Sequence, residues 1–365
     1  MFDPEKRAEL VRPKMMKNGK YLIARIGGSG QESDPNKILD MYFRYKNYIS
    51  GDNEFENEWF NSSLKDVWSA KFLGLVKDFW SRPIDEIKKL EFQNPPYSAA
   101  LKLEGRTGDP RNYNKVFAVQ VSGCTYACNF CYVPPEINMA NPAFGKFFSP
   151  KEILDFFLSA KSKSKEPMNV IRITGGEPTI IPEIIIDVFN EIEKRDLKTY
   201  LWIDTNLSMS KYLEKTESDL KNILNKRNVG VVGCFKGVCK EDFSMLTGVE
   251  PKFYENQFET AKLFLDWKTD FYAYLPALVY ENPEQRIEEF VDRLRELNKN
   301  LPLRAEILII KEFPGAVINI KEKAKQGRPM PKTDQKLFFD LWYNKLLPKF
   351  YSKEMLNKFC CEIPL

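Results

Sequence analysis

The chain has 365 residues, 43% of them hydrophobic, and a formal net charge of only +4. That length supports one large core or two domains. The weak charge lacks the strongly basic footprint of a nucleic-acid binder, and no run of about 20 apolar residues offers a membrane span. The chain has no histidine, so any general acid or base is Asp, Glu, Lys, Tyr or Cys. Its seven cysteines do not read as a disulfide framework. The first residues lack the apolar core of a signal peptide, so a cytoplasmic protein with no membrane partner is expected.

Residues 1–112 read as an extension, mostly helical. Trp59, Trp68, Phe72, Phe79 and Trp80 mark helices with aromatic faces, for packing or for a substrate platform. Residues 26–34, with Gly27, Gly28, Ser29 and Gly30, read as a loop. The Lys and Ser/Thr offsets of a phosphate cradle are missing there.

From 113 to 318 strand-like and helix-like stretches alternate. The strands are 116–121, 169–173, 199–204, 229–235, 271–279 and 305–310. Ser149, Pro150 and Glu152 form a helix start with a capping box and a first-turn proline. Further helices are expected from Pro182, over 211–224, over 254–266 and from a cap at Asn282-Pro283. Six βα steps imply an α/β fold with a parallel sheet. Residues 319–365 read as a helical tail, with a basic, proline-containing segment at 321–332 and a helix over 336–347.

Cys124, Cys128 and Cys131 follow the first strand in a CxxxCxxC run. Three thiolates in one short loop can ligate three irons of an iron–sulfur cube. Four-cysteine sites saturate a cluster; three cysteines leave one iron open, and open coordination serves catalysis. The competing readings are zinc, which needs a fourth ligand, and a ferredoxin-like cluster, whose fourth cysteine is no nearer than Cys234. Neither explains the Thr174-Gly175-Gly176-Glu177-Pro178 segment after the second strand.

The cysteine run, with Phe130 before its last cysteine, resembles the signature of the radical S-adenosylmethionine (radical SAM) enzymes, and the Gly-Gly-Glu-Pro segment resembles that family's second motif. The resemblance spans about residues 115–315. It implies a partial (β/α)6 barrel, a [4Fe-4S] cluster on Cys124, Cys128 and Cys131, and S-adenosyl-L-methionine chelating the open iron. One electron, from a donor such as ferredoxin or flavodoxin, would break a carbon–sulfur bond and give a 5′-deoxyadenosyl radical that abstracts hydrogen. Gly175 and Gly176 would let the backbone approach the cofactor's amino group, with Glu177 accepting a hydrogen bond near it. The alternative for Glu177 is a capping residue in a strand-to-helix turn.

Asp204 and Asn206 end the third strand, where relatives approach the ribose and methionyl groups; strand-end turn chemistry is the alternative. The family's usual glycine after the asparagine is replaced by Leu207. Lys236 follows the fourth strand and would pair with the methionyl carboxylate, or is a surface lysine. Its segment, with Thr247-Gly248, resembles the glycyl-radical activating enzymes, although Cys234 stands where they carry aspartate. The substrate stays open among a partner protein, RNA or a peptide, and a small molecule, and a non-catalytic electron-transfer protein is a further reading. Cys234, Cys239, Cys360 and Cys361 equal in number the ligands of an auxiliary cluster but have no familiar spacing.

Overall fold

The computed structural model describes residues 1–25, 43–46, 115–164, 168–308, 310, 314–356, 358 and 360–365. The glycine-containing loop at 26–34 and the aromatic positions from Trp59 to Trp80 lie outside the described residues. Asp3 accepts the backbone N–H groups of Glu5 and Lys6 and starts α1 (Pro4–Met15). Asn18 and Gly19, both left-handed, then turn a two-residue hairpin between β1 (Met16–Lys17) and β2 (Lys20–Ala24). β3 (Phe43–Lys46) pairs antiparallel with β4 (Lys115–Val121), and β5 (Gly145–Phe148) pairs antiparallel with β2. β2 also touches β4 at Ile23 and Val121. The start of the chain is therefore part of the sheet.

Ser149 and Glu152 form the expected capping box on α2 (Pro150–Lys163). The chain continues through β6 (Met168–Gly175), α3 (Glu183–Lys194) and β7 (Tyr200–Thr205). The helix expected over 211–224 is two helices, α4 (Ser210–Lys215) and α5 (Glu217–Leu224). They break at Thr216, whose hydroxyl donates back to the carbonyls of Tyr212 and Leu213, a bond that competes with helix continuation. Next come β8 (Val229–Cys234), α6 (Lys240–Thr247), α7 (Asn256–Asp266) and β9 (Asp270–Pro276). The following α8 (Pro283–Leu297) starts where expected, but Asn282 is left-handed (φ 47°) and its side chain makes no capping bond. β10 (Ala305–Leu308) and α9 (Pro314–Lys325) complete the alternation. The expected helix over 336–347 is interrupted: a π-helical stretch at Asp340–Leu346 lies between α-helical turns. Pro348, just beyond it, has no N–H to continue the regular ladder.

Six parallel strands run in the order β4-β6-β7-β8-β9-β10. β4 and β10 do not pair, so this is an open-sided (β/α)6 arrangement. The edge of β10 is met by Tyr343, whose hydroxyl accepts the Ile307 N–H, a cover for otherwise free strand groups.

Alternation along each strand separates two interiors. Phe117, Val119, Ile171, Ile173, Leu201 and Ile203 join the apolar cluster that includes Leu154 and Phe157 of α2 and Val188 and Ile192 of α3. The alternate positions Arg172, Thr174, Tyr200, Trp202 and Asp204 lie on the opposite face of the sheet. Gly230 of β8 makes room there: a Cβ would lie 2.3 Å from the Tyr200 hydroxyl. Among the described residues, no helix is long and apolar enough to cross a membrane.

The N-terminal end of the strands is closed by the chain's own last residues. Asp270 accepts the hydroxyls of Tyr200 (2.8 Å) and Tyr272 (3.0 Å) and pairs with Arg304. Arg304 also donates to the Ile363 carbonyl, and Asn300 donates to that of Pro364. Removing one partner of a buried pair leaves the other charge uncompensated, at about 3–5 kcal/mol. Asp270→Ala is expected to lose that much stability in urea unfolding, because the Arg304 side chain is only 5% exposed. A loss under about 1 kcal/mol, the range of an exposed pair, would contradict this account.

Candidate cofactor site

The four segments singled out in the sequence stand at the C-terminal ends of adjacent strands: the cysteine loop after β4, Gly-Gly-Glu after β6, Asp204–Asn206 at β7 and Lys236 after β8. This is the functional face of parallel α/β architectures. Glycine chemistry locks the first two segments together. Gly123 and Gly175 adopt φ of 92° and 106°, conformations costly to any residue with a Cβ. Gly176 has no room for one: a Cβ would lie 1.8 Å from the Gly123 carbonyl oxygen. The backbone contact is direct. Gly176 N–H donates to Val121 (2.9 Å), and Glu177 N–H donates to Gly123 (2.7 Å).

The cysteine loop is tied down on several sides. Gly123 and Cys124 donate to the carbonyls of Ile137 and Asn138. Ala127 and Asn129 donate to Thr247 and Leu246 at the end of α6. Side chains from distant segments take the outward carbonyls: Arg7 Nε donates to Cys124 (2.9 Å), Arg328 Nη2 to Ala127 (3.0 Å) and Asn319 Nδ2 to Cys131 (2.6 Å). Gly248 ends α6 in the left-handed conformation (φ 78°), and a Cβ there would lie 2.4 Å from the Arg328 guanidinium. Thr247-Gly248 thus supports the cysteine loop and admits Arg328.

The sulfurs have donors of their own. Val133 N–H (3.4 Å) and Asn138 Nδ2 (3.6 Å) point to Cys131 Sγ, and Asn206 Nδ2 (3.6 Å) points to Cys124 Sγ. Burial pushes the Cys124 and Cys128 thiols up to about 12. Metal ligation must therefore displace the protons of these thiols. Among the described residues, no three Cys, Asp or Glu side chains close tightly enough to hold a single metal ion. A cluster distributes its ligands over several irons. Three cysteines on one loop, with N–H groups aimed at sulfur and cations nearby, suit that larger, anionic group.

Glu177 is fully buried, and burial raises its carboxyl above the ordinary range. Its Oε1 accepts Thr179 N–H (3.0 Å) and the Thr179 hydroxyl (2.6 Å); its Oε2 accepts Asn206 N–H (2.6 Å). It caps the 3-10 turn Pro178–Ile180 and joins the second loop to the third. Asn206 continues the connection: Nδ2 donates to Thr125 (2.9 Å), and Oδ1 accepts Ser208 N–H (3.1 Å).

Asp204 lies one step deeper. It pairs with Arg172 (2.6 Å) and accepts the Thr174 hydroxyl (2.5 Å) and Trp202 Nε1 (2.8 Å). Leu207, which replaces the usual glycine of the resembled motif, has the left-handed conformation itself (φ 61°). Its buried side chain fills the space over Gly233, where a Cβ would meet both Leu207 methyl groups at 2.8 Å.

Lys236 extends over the Phe130 ring, with Nζ 5.9 Å from its centre. Burial lowers the Lys236 ammonium, but Cys234, Cys128, Cys124 and Cys131 together outweigh this and raise it above its ordinary value. The residue is half-buried, and its backbone N–H donates to Gln257. The remaining cysteines do not converge. Cys234 ends β8 beside Lys236 and Asp204. Cys239 caps α6. Cys360 and Cys361 are buried near Tyr272 and Tyr200, toward the opposite end of the strands. The four thus stand at different ends of the strands. Arg7, Asn138, Asn319 and Arg328 escape sequence reasoning because each is a lone polar residue in a helix or tail, brought in by tertiary folding.

The Radical SAM superfamily model matches residues 120–233, from the end of β4 to β8. That stretch, under a third of the chain, is what resembles the superfamily. No curated protein matches the chain. Among solved structures, Streptococcus suis SuiB bound to S-adenosylmethionine is similar at 20% identity with a TM-score of 0.44, over 64% of this chain and 46% of that one. The structure titled native anSMEcpe with bound AdoMet and Cp18Cys peptide is similar at 17% identity and TM-score 0.41, over 62% and 59%. A radical SAM methyltransferase from Sphaerobacter thermophilus is similar at 11% identity and TM-score 0.39, over 59% and 65%. The chain spans about half the length of the first of these and under two thirds of the others.

The Gly176–Gly123 contact has a direct test. Gly176→Ala forces backbone apart, so a stability loss of about 1–3 kcal/mol or more is expected, together with low iron uptake on anaerobic reconstitution. Wild-type stability and full iron content in this variant would show that the two loops need no such approach.

Proposed function

We propose that this chain is a radical SAM enzyme, with a [4Fe-4S] cluster on Cys124, Cys128 and Cys131 and S-adenosyl-L-methionine bound beside it. The supporting observation is the seating of a three-cysteine loop against Gly175-Gly176-Glu177 at the strand ends, within the stretch that matches the superfamily. Bound, the cluster and S-adenosyl-L-methionine supply reductive carbon–sulfur cleavage and, through it, hydrogen abstraction from an unactivated carbon.

The protein's part is placement. The backbone at Gly175-Gly176 meets the cofactor's amino group, and Glu177 holds that backbone in position through Thr179 and Asn206. Lys236, facing the cysteines across Phe130, pairs with the methionyl carboxylate. Asp204 and Asn206 border the ribose. A low-potential one-electron donor such as ferredoxin or flavodoxin supplies the electron. The substrate is a carbon-bound hydrogen donor. Turnover that needs a second protein would mark glycyl-radical activation, whereas salt-sensitive RNA binding or peptide turnover would mark macromolecule modification.

The test is anaerobic. The reconstituted, reduced protein is expected to give an EPR spectrum that S-adenosyl-L-methionine perturbs, and to release 5′-deoxyadenosine. A spectrum indifferent to the cofactor, without 5′-deoxyadenosine, would sink the proposal in favour of an electron-transfer protein. Cys124→Ala is expected to abolish both the cluster signal and the cleavage. Retained cleavage would remove Cys124 from the ligand set.

A further inference from the structure

Two arginines from opposite ends of the chain meet on the cysteine loop. Arg7 of α1 donates to the Cys124 carbonyl (2.9 Å), and Arg328 of the C-terminal tail donates to the Ala127 carbonyl (3.0 Å). Both are held there by further contacts. α1 is anchored by Arg12, which bonds the Ile180 carbonyl and pairs with Glu183, and by Met15, packed against Gly123. The Arg328 segment is anchored by the Tyr280 hydroxyl, which donates to the Pro329 carbonyl (2.7 Å), and its guanidinium occupies the space that Gly248 leaves. Burial lowers both guanidinium groups, while the cysteines facing them act in the opposite direction. Lys323 lies close to both: burial, then Arg328 and Arg7, hold its ammonium below the ordinary range. Cations crowded in this way repel one another and are favoured by an anion between them.

We propose that Arg7 and Arg328 are positioning residues that set the reduction potential of the centre held by Cys124, Cys128 and Cys131. The proposal rests on the cluster assignment made above. Reduction by one electron, taken from an external one-electron donor, adds a negative charge to a centre already carrying three thiolates. Fixed positive charge in a half-buried setting stabilises the reduced form more than the oxidised form, because Coulomb energy grows as the local dielectric falls. The arginines therefore raise the potential and make the centre easier to reduce. Their hydrogen bonds to loop carbonyls fix the distance at which they act.

The experiment is potentiometric EPR on the reconstituted full chain, with iron and sulfide content measured first. The variants are Arg7→Gln, Arg328→Gln, Arg7→Lys and Arg328→Lys. Lys349→Gln is the control, an exposed lysine paired with Glu288 on α8, whose charge salt screens. The expected result is a lower midpoint potential in both Gln variants at wild-type iron content, partial recovery in the Lys variants and no shift in the control. Loss of the cluster in the Gln variants with retention in the Lys variants also supports the role of charge. An unchanged potential in both Gln variants, or equal loss of the cluster in Gln and Lys variants, overturns the proposal. Failure of the wild-type chain to form any [4Fe-4S] signal would instead overturn the cluster assignment, and this proposal with it.

Discussion

The backbone contact between Gly176 and Gly123 is the constraint on which the rest of the site depends. Two adjacent parallel strands end in loops that must each turn sharply and then touch. Only residues without a Cβ permit both. Once they touch, Glu177 is carried into the interior, where Thr179 and Asn206 satisfy its oxygens. Asn206 in turn reaches Thr125 and Cys124. The first three loops are thus one hydrogen-bonded unit, and cysteine geometry follows from strand register. A buried acid is tolerated here because each oxygen has donors.

Much of this was legible in the sequence. The six strands follow from short, apolar, β-branched runs, each separated by a helical period. The capping box at Ser149 and Glu152 is a local signal and is met locally. Glycines at 175 and 176 beside a strand announce a close backbone approach, and Gly176 makes one to Gly123. Asn18-Gly19 is an equally local hairpin signal.

Other features had no sequence signature. Thr216 breaks a helix through a side-chain bond that any amphipathic pattern hides. Leu207 holds a glycine-like conformation because packing over Gly233 offsets the strain, a tertiary effect that overrides local preference. Arg7, Asn319 and Arg328 gain their meaning from where distant segments dock, and no spacing rule connects them to Cys124. Lys236 is a lone lysine until β8 aims it at Phe130.

The bonds from Arg7 and Arg328 to the cysteine loop span 117 and 201 residues of chain. Closure cost grows only slowly with loop length, but a fold that relies on non-local contacts of this kind folds more slowly. During synthesis, the cysteines and the Gly-Gly-Glu strand emerge well before the tail that completes their surroundings. The seat of the three thiols is therefore completed only when both distant segments have docked on the loop. Assembly of the site is in this sense shared among segments far apart in the chain, although its three cysteines lie within eight consecutive residues.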